Sequence, residues 1–381
     1  MIVKMGYMLQ KEERRMGGGN VSQDQTSIIC IDLKSFYASV ECVERGLNPF
    51  KTNLVVADPT RSKSTICLAI TPAMKSLGIK NRCRIHEIPD CVKYITAMPR
   101  MQLYMDYSAK IYGIYLRYVS KEDIHVYSVD ECFIDVTNYL QLYHLTAKEM
   151  AIKLMQAVME ETGITATAGV GTNLYLAKIA MDIVAKHVDD HIGILDEFSY
   201  REQLWDHKPL SDFWRIGSRT EKKLAGYGIH TMGDIAMASL RSEDWLYKMF
   251  GIDAELLIDH AWGYEPCTMD QIKAYKPETN SICTGQVLHC PYDFDKTRLV
   301  VKEMTDLMSL DLVDKGLVTD QIVLTIGYDI DNLTDPARKK RYKGAVTTDR
   351  YGRKVPKHAH GTINLKRQTS STQMLMDAVM E

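Results

Sequence analysis

The chain has 381 residues, 45% of them apolar and 25% charged, which excludes a disordered or fibrous protein and predicts several compact domains. The sequence has no run of about 18 apolar residues, so we expect a cytoplasmic protein with no membrane partner. Its nine cysteines never form a Cys-x-x-Cys motif with a histidine partner, which argues against structural zinc and a disulfide framework. Because the formal net charge is -2, a nucleic-acid partner requires a local cluster of basic residues.

An irregular N-terminal segment precedes the first predicted element. Residues 1–26 mix charges, methionines and a Gly17–Gly19 run without periodicity, and we interpret them as a flexible extension. The sequence SIICID (27–32) has the apolar run of a buried strand, with Asp32 at its carboxyl end. The long segment between Asp32 and residue 100 is then expected to form a separate small module.

Helices and strands alternate from residue 100 to residue 186. Val129-Asp130-Glu131 joins two short apolar runs and predicts a tight hairpin. Thr146 and Glu149 form a capping box at the start of a helix that Gly163 ends. In order, the predicted elements are a helix over 100–119, strands over 124–128 and 132–136, a helix over 146–163, a strand over 165–171 and a helix over 173–186.

This order of elements is that of the ferredoxin-like fold, in which two strand–helix–strand units interlock. Each right-handed crossover leaves a gap that a strand of the other unit fills, so the first strand lies antiparallel beside the third. The end of the first strand and the hairpin then meet at one sheet edge. We therefore expect Asp32, Asp130 and Glu131 to converge there.

The C-terminal half divides into a helical part and a second mixed part. Residues 214–230 resemble a helix-hairpin-helix, and 272–280 is a plausible linker. A second strand–helix–strand–strand–helix series lacks its closing strand, so we expect that the natural chain continues further. We interpret 330–358 as a long mobile loop. The elements of this series are predicted over 281–289, 294–315, 319–329, 359–366 and 370–381.

Three carboxylates at one sheet edge repel one another and raise their own pKa values unless cations lie between them. Two divalent ions about 4 Å apart can activate an attacking hydroxyl and neutralise charge on a phosphate. The arrangement of Asp32, Asp130 and Glu131 therefore indicates phosphoryl transfer.

Three motifs resemble those of the Y-family translesion DNA polymerases, most closely the UmuC-like branch: IDLKSFYASVE (31–41), YSVDECFIDVT (127–137) and GVGTNLYLAKIA (169–180). The resemblance extends from about residue 27 to the end. It implies an α+β multidomain fold whose ferredoxin-like palm carries inserted fingers, followed by a helical thumb with a helix-hairpin-helix and an α/β little finger. The implied domains are palm (27–36 and 90–186), fingers (37–89), thumb (187–271) and little finger (281–381).

The same resemblance implies a DNA-directed DNA polymerase of low fidelity, acting in translesion synthesis and DNA repair as part of the SOS response to DNA damage. Its substrates would be primer–template DNA and deoxynucleoside triphosphates. The implied cofactor is a pair of Mg²⁺ ions. Further candidate partners are a sliding clamp and a recombinase or UmuD-like accessory protein.

The resemblance also assigns roles to single residues. Asp32, Asp130 and Glu131 would hold the metal ions together with the Leu33 carbonyl. The backbone N–H groups near Ser35 and Phe36 would face the triphosphate, as a helix start does. The Tyr37 ring would exclude a 2′-hydroxyl by steric clash. Lys178 would contact the triphosphate.

Two positions depart from the family pattern. Pro72 and Lys75 replace its Tyr-x-x-Arg, and lysine lacks the planar fork with which arginine binds nucleotide phosphates. The hairpin Arg215-Ile216-Gly217 replaces Gly-Ile-Gly, so Arg215 itself contacts phosphate or the hairpin is distorted.

Basic residues cluster between 338 and 367, where eleven face the single acid Asp349 and leave a surplus of ten positive charges. This density suits contacts to DNA phosphates, which position a duplex without reading its sequence. With Arg215 and Gly217, the predicted DNA contacts include Arg338, Lys339, Lys340, Arg341, Arg350, Arg353 and Lys354.

Two alternatives remain open. A nucleotidyl cyclase shares the palm and its two-metal chemistry but has no use for a basic C-terminal module. A polymerase-like adaptor that only recruits other proteins is expected to lose catalytic acids, whereas Asp32, Asp130 and Glu131 are all present.

Overall fold

The structure is a computed structural model that describes residues 26–60, 63–277, 281–349 and 352–381. It contains two compact units, Met1–Lys276 and Pro277–Glu381. The extension predicted over 1–26 lies outside the described residues, except for Thr26. Within the described residues, no helix is both long and apolar enough to cross a membrane.

The first unit alternates strands and helices up to residue 195 and is helical after it. Its elements in chain order are β1 (Ile28–Leu33), α1 (Phe36–Val43), β2 (Leu54–Val56), β3 (Ala69–Ile70), α2 (Pro72–Ser76), β4 (Ile95–Ala97), α3 (Met101–Tyr115), β5 (Ile124–Val126), β6 (Glu131–Asp135), α4 (Tyr139–Tyr143), α5 (Ala147–Thr162), β7 (Ala166–Gly171), α6 (Leu174–Asp182), β8 (Ile192–Leu195), α7 (Glu197–Leu204), α8 (Ser218–Ala225), α9 (Met232–Phe250), α10 (Asp253–Trp262) and α11 (Met269–Ala274).

The palm sheet has the strand order β5-β6-β1-β7-β8. Strand β1 is antiparallel to both β6 and β7, and Asp32 pairs directly with Glu131. The predicted convergence of the first strand and the hairpin is therefore confirmed. Strand β8 was not predicted, and it adds a fifth strand parallel to β7.

Local sequence signals explain the palm helices. Helix α5 begins at the capping box of Thr146 and Glu149 and ends at Gly163, which has a left-handed conformation with φ 68°. Helix α6 begins at Asn173, whose side chain accepts a hydrogen bond from Leu176 N. Apolar residues of β1, α1, α3 and α5 then pack into one palm core.

The fingers module contains a small sheet with the order β3-β2-β4. Strand β4 pairs in parallel with β2, so residues 95–97 belong to this sheet although the sequence analysis assigned them to the palm. Conversely, Phe36, Ala38 and Val40 of α1 pack into the palm core. The sequence pattern does not reveal these two differences in domain boundary. A short strand belongs to the sheet in which its pairing partner lies, and the pattern does not identify that partner.

Helices α7 to α10 form the thumb around a separate apolar core. Helix α11 contains residues 272–274, which the sequence analysis placed in the linker. Lys273 Nζ donates to the carbonyl of Lys121 at 3.1 Å and also to that of Ile124. The ordered part of the first unit therefore extends into the predicted linker.

The second unit contains an antiparallel pair, β9 and β12, with two longer helices. The hydroxyls of Ser309 and Thr372 join these helices at 2.7 Å. The elements in chain order are α12 (Phe294–Asp314), β9 (Thr319–Ile326), α13 (Asp331–Thr334), α14 (Pro336–Arg341), β10 (Val346–Thr348), β11 (Lys354–Pro356), β12 (Ala359–Thr369) and α15 (Thr372–Met380).

Two predictions for this unit were wrong. Residues 281–289 form no strand in the described structure; an alternating pattern makes a strand only beside a partner, and Gly285 weakens it. The predicted loop over 330–358 instead contains two short helices and the β10–β11 hairpin. Asp335 begins α14 by accepting a hydrogen bond from Arg338 N, a local cap that the loop interpretation missed.

Candidate active site

The three acids meet at one edge of the palm sheet. Asp32 lies at the end of β1, and Leu33 N donates to the Asp130 carbonyl at 2.9 Å. Burial raises the pKa of Asp32 to about 7, and the negative charges of Asp130 and Glu131 add to this shift. The site thus concentrates negative charge in a partly buried place, as a divalent-cation site does.

Glu131 is also paired with a buried lysine. Lys178 Nζ lies 2.8 Å from Glu131 Oε1 and 3.1 Å from Asp182 Oδ2. Burial alone would lower the pKa of Lys178, but the charges of Asp182 and Glu131 raise it, so the ammonium stays protonated. The predicted nucleotide contact of Lys178 stays a prediction, because the structure directs this lysine to Glu131.

Glycines bring α6 close enough for this ion pair. A Cβ on Gly169 would lie 2.1 Å from the Ala177 carbonyl oxygen, and one on Gly171 would lie 2.2 Å from Ala177 N. Only glycine permits such a close approach of helix and strand. The Gly-Val-Gly segment of the third motif therefore sets the position of Lys178.

The carboxylates and the Leu33 carbonyl are hard oxygen donors, the ligand type that Mg²⁺ prefers. Within the described residues, however, no three acidic, histidine or cysteine side chains form a ready metal-binding cluster. Glu131 Oε1 instead contacts Lys178 Nζ, and it accepts a hydrogen bond from Cys30 Sγ at 3.3 Å. The donor set fits magnesium chemically, and binding would require Glu131 to exchange its partner.

Lys75 interacts electrostatically with Asp32, and two further lysines, Lys34 and Lys186, interact with Lys75. Burial lowers the pKa of Lys75, and nearby Lys186 lowers it further while Asp32 opposes the shift. Burial also lowers the pKa of Lys34, with Lys75 adding to the effect. Sequence reasoning identified Lys75 and missed Lys34 and Lys186. Lys34 lies within the first motif, whereas no pattern distinguishes the exposed Lys186 from other surface lysines.

The start of α1 directly follows Lys34. Ser35 precedes the helix with φ 50°, and its side chain makes no capping hydrogen bond. Its Oγ is buried and has no hydrogen-bond partner among the described residues. Phe36, the first residue of the helix, is buried in the palm core. A helix N-terminus with an unpaired hydroxyl next to cationic side chains is suited to an anion.

Tyr37 follows on α1 and stacks on Tyr104, with ring centroids 4.5 Å apart and an interplanar angle of 14°. Burial raises the pKa of Tyr37, and the charge of Asp130 contributes. The structure therefore brings the predicted steric gate near the acids.

The thumb hairpin has an unusual backbone. Arg215 has φ 67°, a left-handed conformation that favours glycine, and its guanidinium lies 5.4 Å from the centroid of the Trp214 ring. Gly217 begins α8 without a side-chain cap. The Trp214 indole Nε1 donates to Tyr127 Oη at 3.1 Å, which joins the thumb hairpin to the segment before Asp130.

The predicted DNA contacts of the second unit lie on exposed surfaces. Helix α14 carries four of them, Lys354 begins β11, and Arg353 Nε donates to Asp349 Oδ2 at 2.8 Å. Arg350 lies outside the described residues. Within the described part of this unit, no carboxylate forms an ion pair with the exposed cations of α14, which are Arg338, Lys339, Lys340 and Arg341.

Comparison with a solved structure identifies the fold. The chain is similar to a Y-family DNA polymerase chimera of Dbh and Dpo4, with a TM-score of 0.58 and 20% identity, over 93% of each chain. The fold is therefore that of the Y-family DNA polymerases, with palm, fingers, thumb and little finger.

Sequence comparison identifies the family. Residues 31–182, which contain the three acids, match the impB/mucB/samB family. UvrX of Bacillus subtilis (strain 168), a candidate UV-damage repair protein, is 33% identical over 73% of this chain and 62% of its own length. DNA polymerase IV 2 of the same organism is 32% identical over 73% of this chain and 66% of its own length. Residues 31–182 therefore belong to the impB/mucB/samB family, and the chain spans less than two thirds of the length of these two relatives.

Proposed function

We propose that the chain is a low-fidelity, template-directed DNA polymerase that acts in translesion synthesis and DNA repair. The observation that carries this proposal is the meeting of Asp32 with Asp130 and Glu131 at one palm edge, next to a cationic helix start. The relatives named as DNA polymerase IV 2 and as a UV-damage repair protein support the same activity.

In this proposal, Asp32, Asp130, Glu131 and the Leu33 carbonyl would hold two Mg²⁺ ions. The ions would supply activation of the primer hydroxyl and neutralisation of phosphate charge. Asp32, whose pKa is raised to about 7 by burial and by its acidic neighbours, stays ionised more readily when cations offset this repulsion. Lys178 pairs with Glu131 in this structure, and Glu131 would exchange this partner for a bound cation.

The incoming triphosphate would lie against the start of α1. Ser35 Oγ and the backbone N–H groups of this turn are available to donate to phosphate oxygens. Lys34, Lys75 and Lys186 each add a positive charge there. Three lysines together would compensate for the single arginine that Lys75 replaces, although each acts as a point charge without a bidentate fork.

Tyr37 would lie under the sugar of the nucleotide and exclude a 2′-hydroxyl by steric clash. Primer–template DNA would contact Arg215 and the amide of Gly217 in the thumb, and the basic segment around α14 in the second unit. A sliding clamp, a recombinase or UmuD-like partner and the cytoplasmic location stay predictions from the sequence.

A primer-extension assay with magnesium tests this function on undamaged and abasic templates. We expect Asp130→Asn and Glu131→Gln each to lower nucleotide addition by at least about a hundredfold, because metal coordination is lost. Asp135→Asn, at the other end of β6, is the matched control and should extend primers like the parent. Normal extension by both active-site variants would refute the mechanism.

The same assay separates the alternatives. A nucleotidyl cyclase would consume the triphosphate without a primer and release a cyclic product. A catalytically silent adaptor would bind DNA and leave the primer unchanged. Primer-dependent extension that Asp130→Asn abolishes excludes both.

A further inference from the structure

Two helices present matching pairs of side chains at the Tyr37 ring. Tyr37 and Glu41 lie one turn apart on α1, and Arg100 and Tyr104 lie one turn apart at the start of α3. Residues spaced by four share one face of a helix. Each pair can therefore contact the other pair across the α1–α3 interface.

Direct contacts connect these four side chains. The Tyr104 ring stacks on Tyr37, and its hydroxyl donates to Glu41 Oε1 at 2.8 Å. Arg100 binds the same carboxylate through both oxygens, with Nε to Oε1 and NH2 to Oε2 each at 2.9 Å. Arg45 forms a second ion pair with Glu41. Tyr104 and the Glu41 side chain are fully buried.

These contacts limit where the Tyr37 ring can move. Glu41 holds the Tyr104 hydroxyl, and a charge-assisted hydrogen bond in a buried place is stronger than one in water. Tyr104 cannot turn aside without breaking this bond, and its ring lies flat against Tyr37. The stacked face is thus anchored at its far end to a doubly paired carboxylate.

We propose that Tyr104 and Glu41 are positioning residues for sugar selection, holding the Tyr37 ring against the sugar of the incoming nucleotide. This inference rests on the proposed role of Tyr37 as steric gate. A clash excludes a 2′-hydroxyl only to the extent that the ring resists displacement, because a ring that yields accommodates the larger sugar. The strength of selection therefore depends on the support behind Tyr37 as well as on its volume.

The test compares kcat/KM for a deoxynucleotide and its ribonucleotide within the same preparation. Tyr104→Phe keeps the stacked ring and removes the hydroxyl that donates a hydrogen bond to Glu41. Glu41 retains its ion pairs with Arg45 and Arg100. We expect discrimination to fall about fivefold, equivalent to ~1 kcal/mol, with deoxynucleotide incorporation within about twofold of the parent. Tyr104→Leu also removes the stacked face, and we expect a larger loss.

Tyr107→Phe is the matched control. Tyr107 lies on α3 one turn beyond Tyr104, and its hydroxyl donates to Glu44 at the end of α1 at 2.7 Å. The variant removes the same group from the same helix pair without touching the Tyr37 ring. We expect its discrimination to equal that of the parent, and an equal fall in Tyr107→Phe and Tyr104→Phe would overturn the proposal.

Tyr37→Ala, measured beside these variants, distinguishes the role of Tyr37 as a gate from the role of Tyr104 in positioning it. If Tyr37→Ala admits ribonucleotides while Tyr104→Phe and Tyr104→Leu discriminate like the parent, the gate stands and the positioning role is refuted. If the Tyr104 variants lower both kcat/KM values equally, their role is only structural and the proposal is again refuted. If Tyr37→Ala itself discriminates like the parent, the proposed gate and its support are both wrong.

Discussion

Two lysines of the candidate site, Lys178 and Lys186, have opposite surroundings. Lys178 is buried on α6 between Glu131 and Asp182, whereas Lys186 is exposed and acts on Lys75. Removal of one partner of a buried ion pair leaves an uncompensated charge, while removal of an exposed charge changes stability little. The two lysines should therefore affect different properties of the protein.

We expect Lys178→Met to lower the free energy of unfolding by about 3 kcal/mol without magnesium, and added magnesium to restore part of it, because the ion would balance Glu131. Lys186→Met should leave unfolding unchanged and raise the nucleotide KM several-fold. Denaturant unfolding measures the free energy, and steady-state kinetics measure the nucleotide KM. The opposite pattern, a higher KM in Lys178→Met at unchanged stability, would restore the triphosphate role predicted from the motif.

Arg215 combines an unfavourable backbone conformation with a proposed DNA contact. A left-handed conformation costs a residue with a Cβ about 1–2 kcal/mol, whereas its contact with Trp214 contributes about 0.5–1 kcal/mol. We expect Arg215→Gly to change stability by less than about 1 kcal/mol because these effects offset, and Arg215→Ala to destabilise. Both variants should weaken DNA binding and lower its salt slope by about one, measured by fluorescence titration. Unchanged affinity in both would show that Arg215 has no phosphate contact.

At the scale of elements, the α1–α3 pair depends on one buried carboxylate. Burial alone would raise the pKa of Glu41, but hydrogen bonds from two arginines and Tyr104 lower it below its ordinary value. A carboxyl with a lowered pKa in the folded state stabilises the fold above the ordinary glutamate pKa of about 4.3, and this stabilisation is lost as the pH falls through the lower value.

We expect Glu41→Gln to lower the free energy of unfolding by about 2 kcal/mol at neutral pH and by progressively less in acid. Urea unfolding between about pH 3 and pH 7 measures the difference from the parent. Glu44→Gln, on the exposed bond to Tyr107, is the control and should change little at any pH. A deficit in Glu41→Gln that stays constant down to the lowest pH would contradict this explanation.

Signals that act over a few residues were sufficient to predict several elements. The Thr146–Glu149 capping box and Gly163 predicted α5. The order of the elements, which is that of the ferredoxin-like fold, then predicted that Asp32 meets Glu131. Pairing between distant segments was not predictable in the same way. Strand β8 is a short run that becomes a strand only beside β7, and 281–289 has a strand-like pattern without a partner.

Side-chain contacts within the site were less predictable still. The motif identified Lys178 but not its pairing with Glu131, which depends on how closely Gly169 and Gly171 allow α6 to approach. The support behind Tyr37 depends on α3, which is distant in sequence. These contacts arise from tertiary packing, which no local pattern encodes.

At the scale of the whole molecule, basic residues are concentrated in one segment of the second unit. The net charge of -2 conceals the surplus of ten positive charges between 338 and 367. All four cations on α14 are exposed, and none forms an ion pair with a carboxylate within the described part of the second unit. A local cluster of this kind acts on phosphates within about one Debye length, which is about 8 Å at physiological salt, so the net charge of the chain matters little.

The cations of α14 are expected to contact DNA phosphates. Neutralising Arg338, Lys339 and Lys340 to Gln should weaken DNA binding about equally on all template sequences, because phosphate contacts carry no sequence information. Each lost phosphate contact releases about 0.9 fewer counterions, so the slope of log affinity against log salt should fall by about three. The matched control neutralises Lys296, Arg298 and Lys302 on α12, which changes the charge of the same unit equally and should alter the slope much less. An equal fall in both variants would assign the effect to net charge, and a loss confined to one template would indicate base recognition by α14.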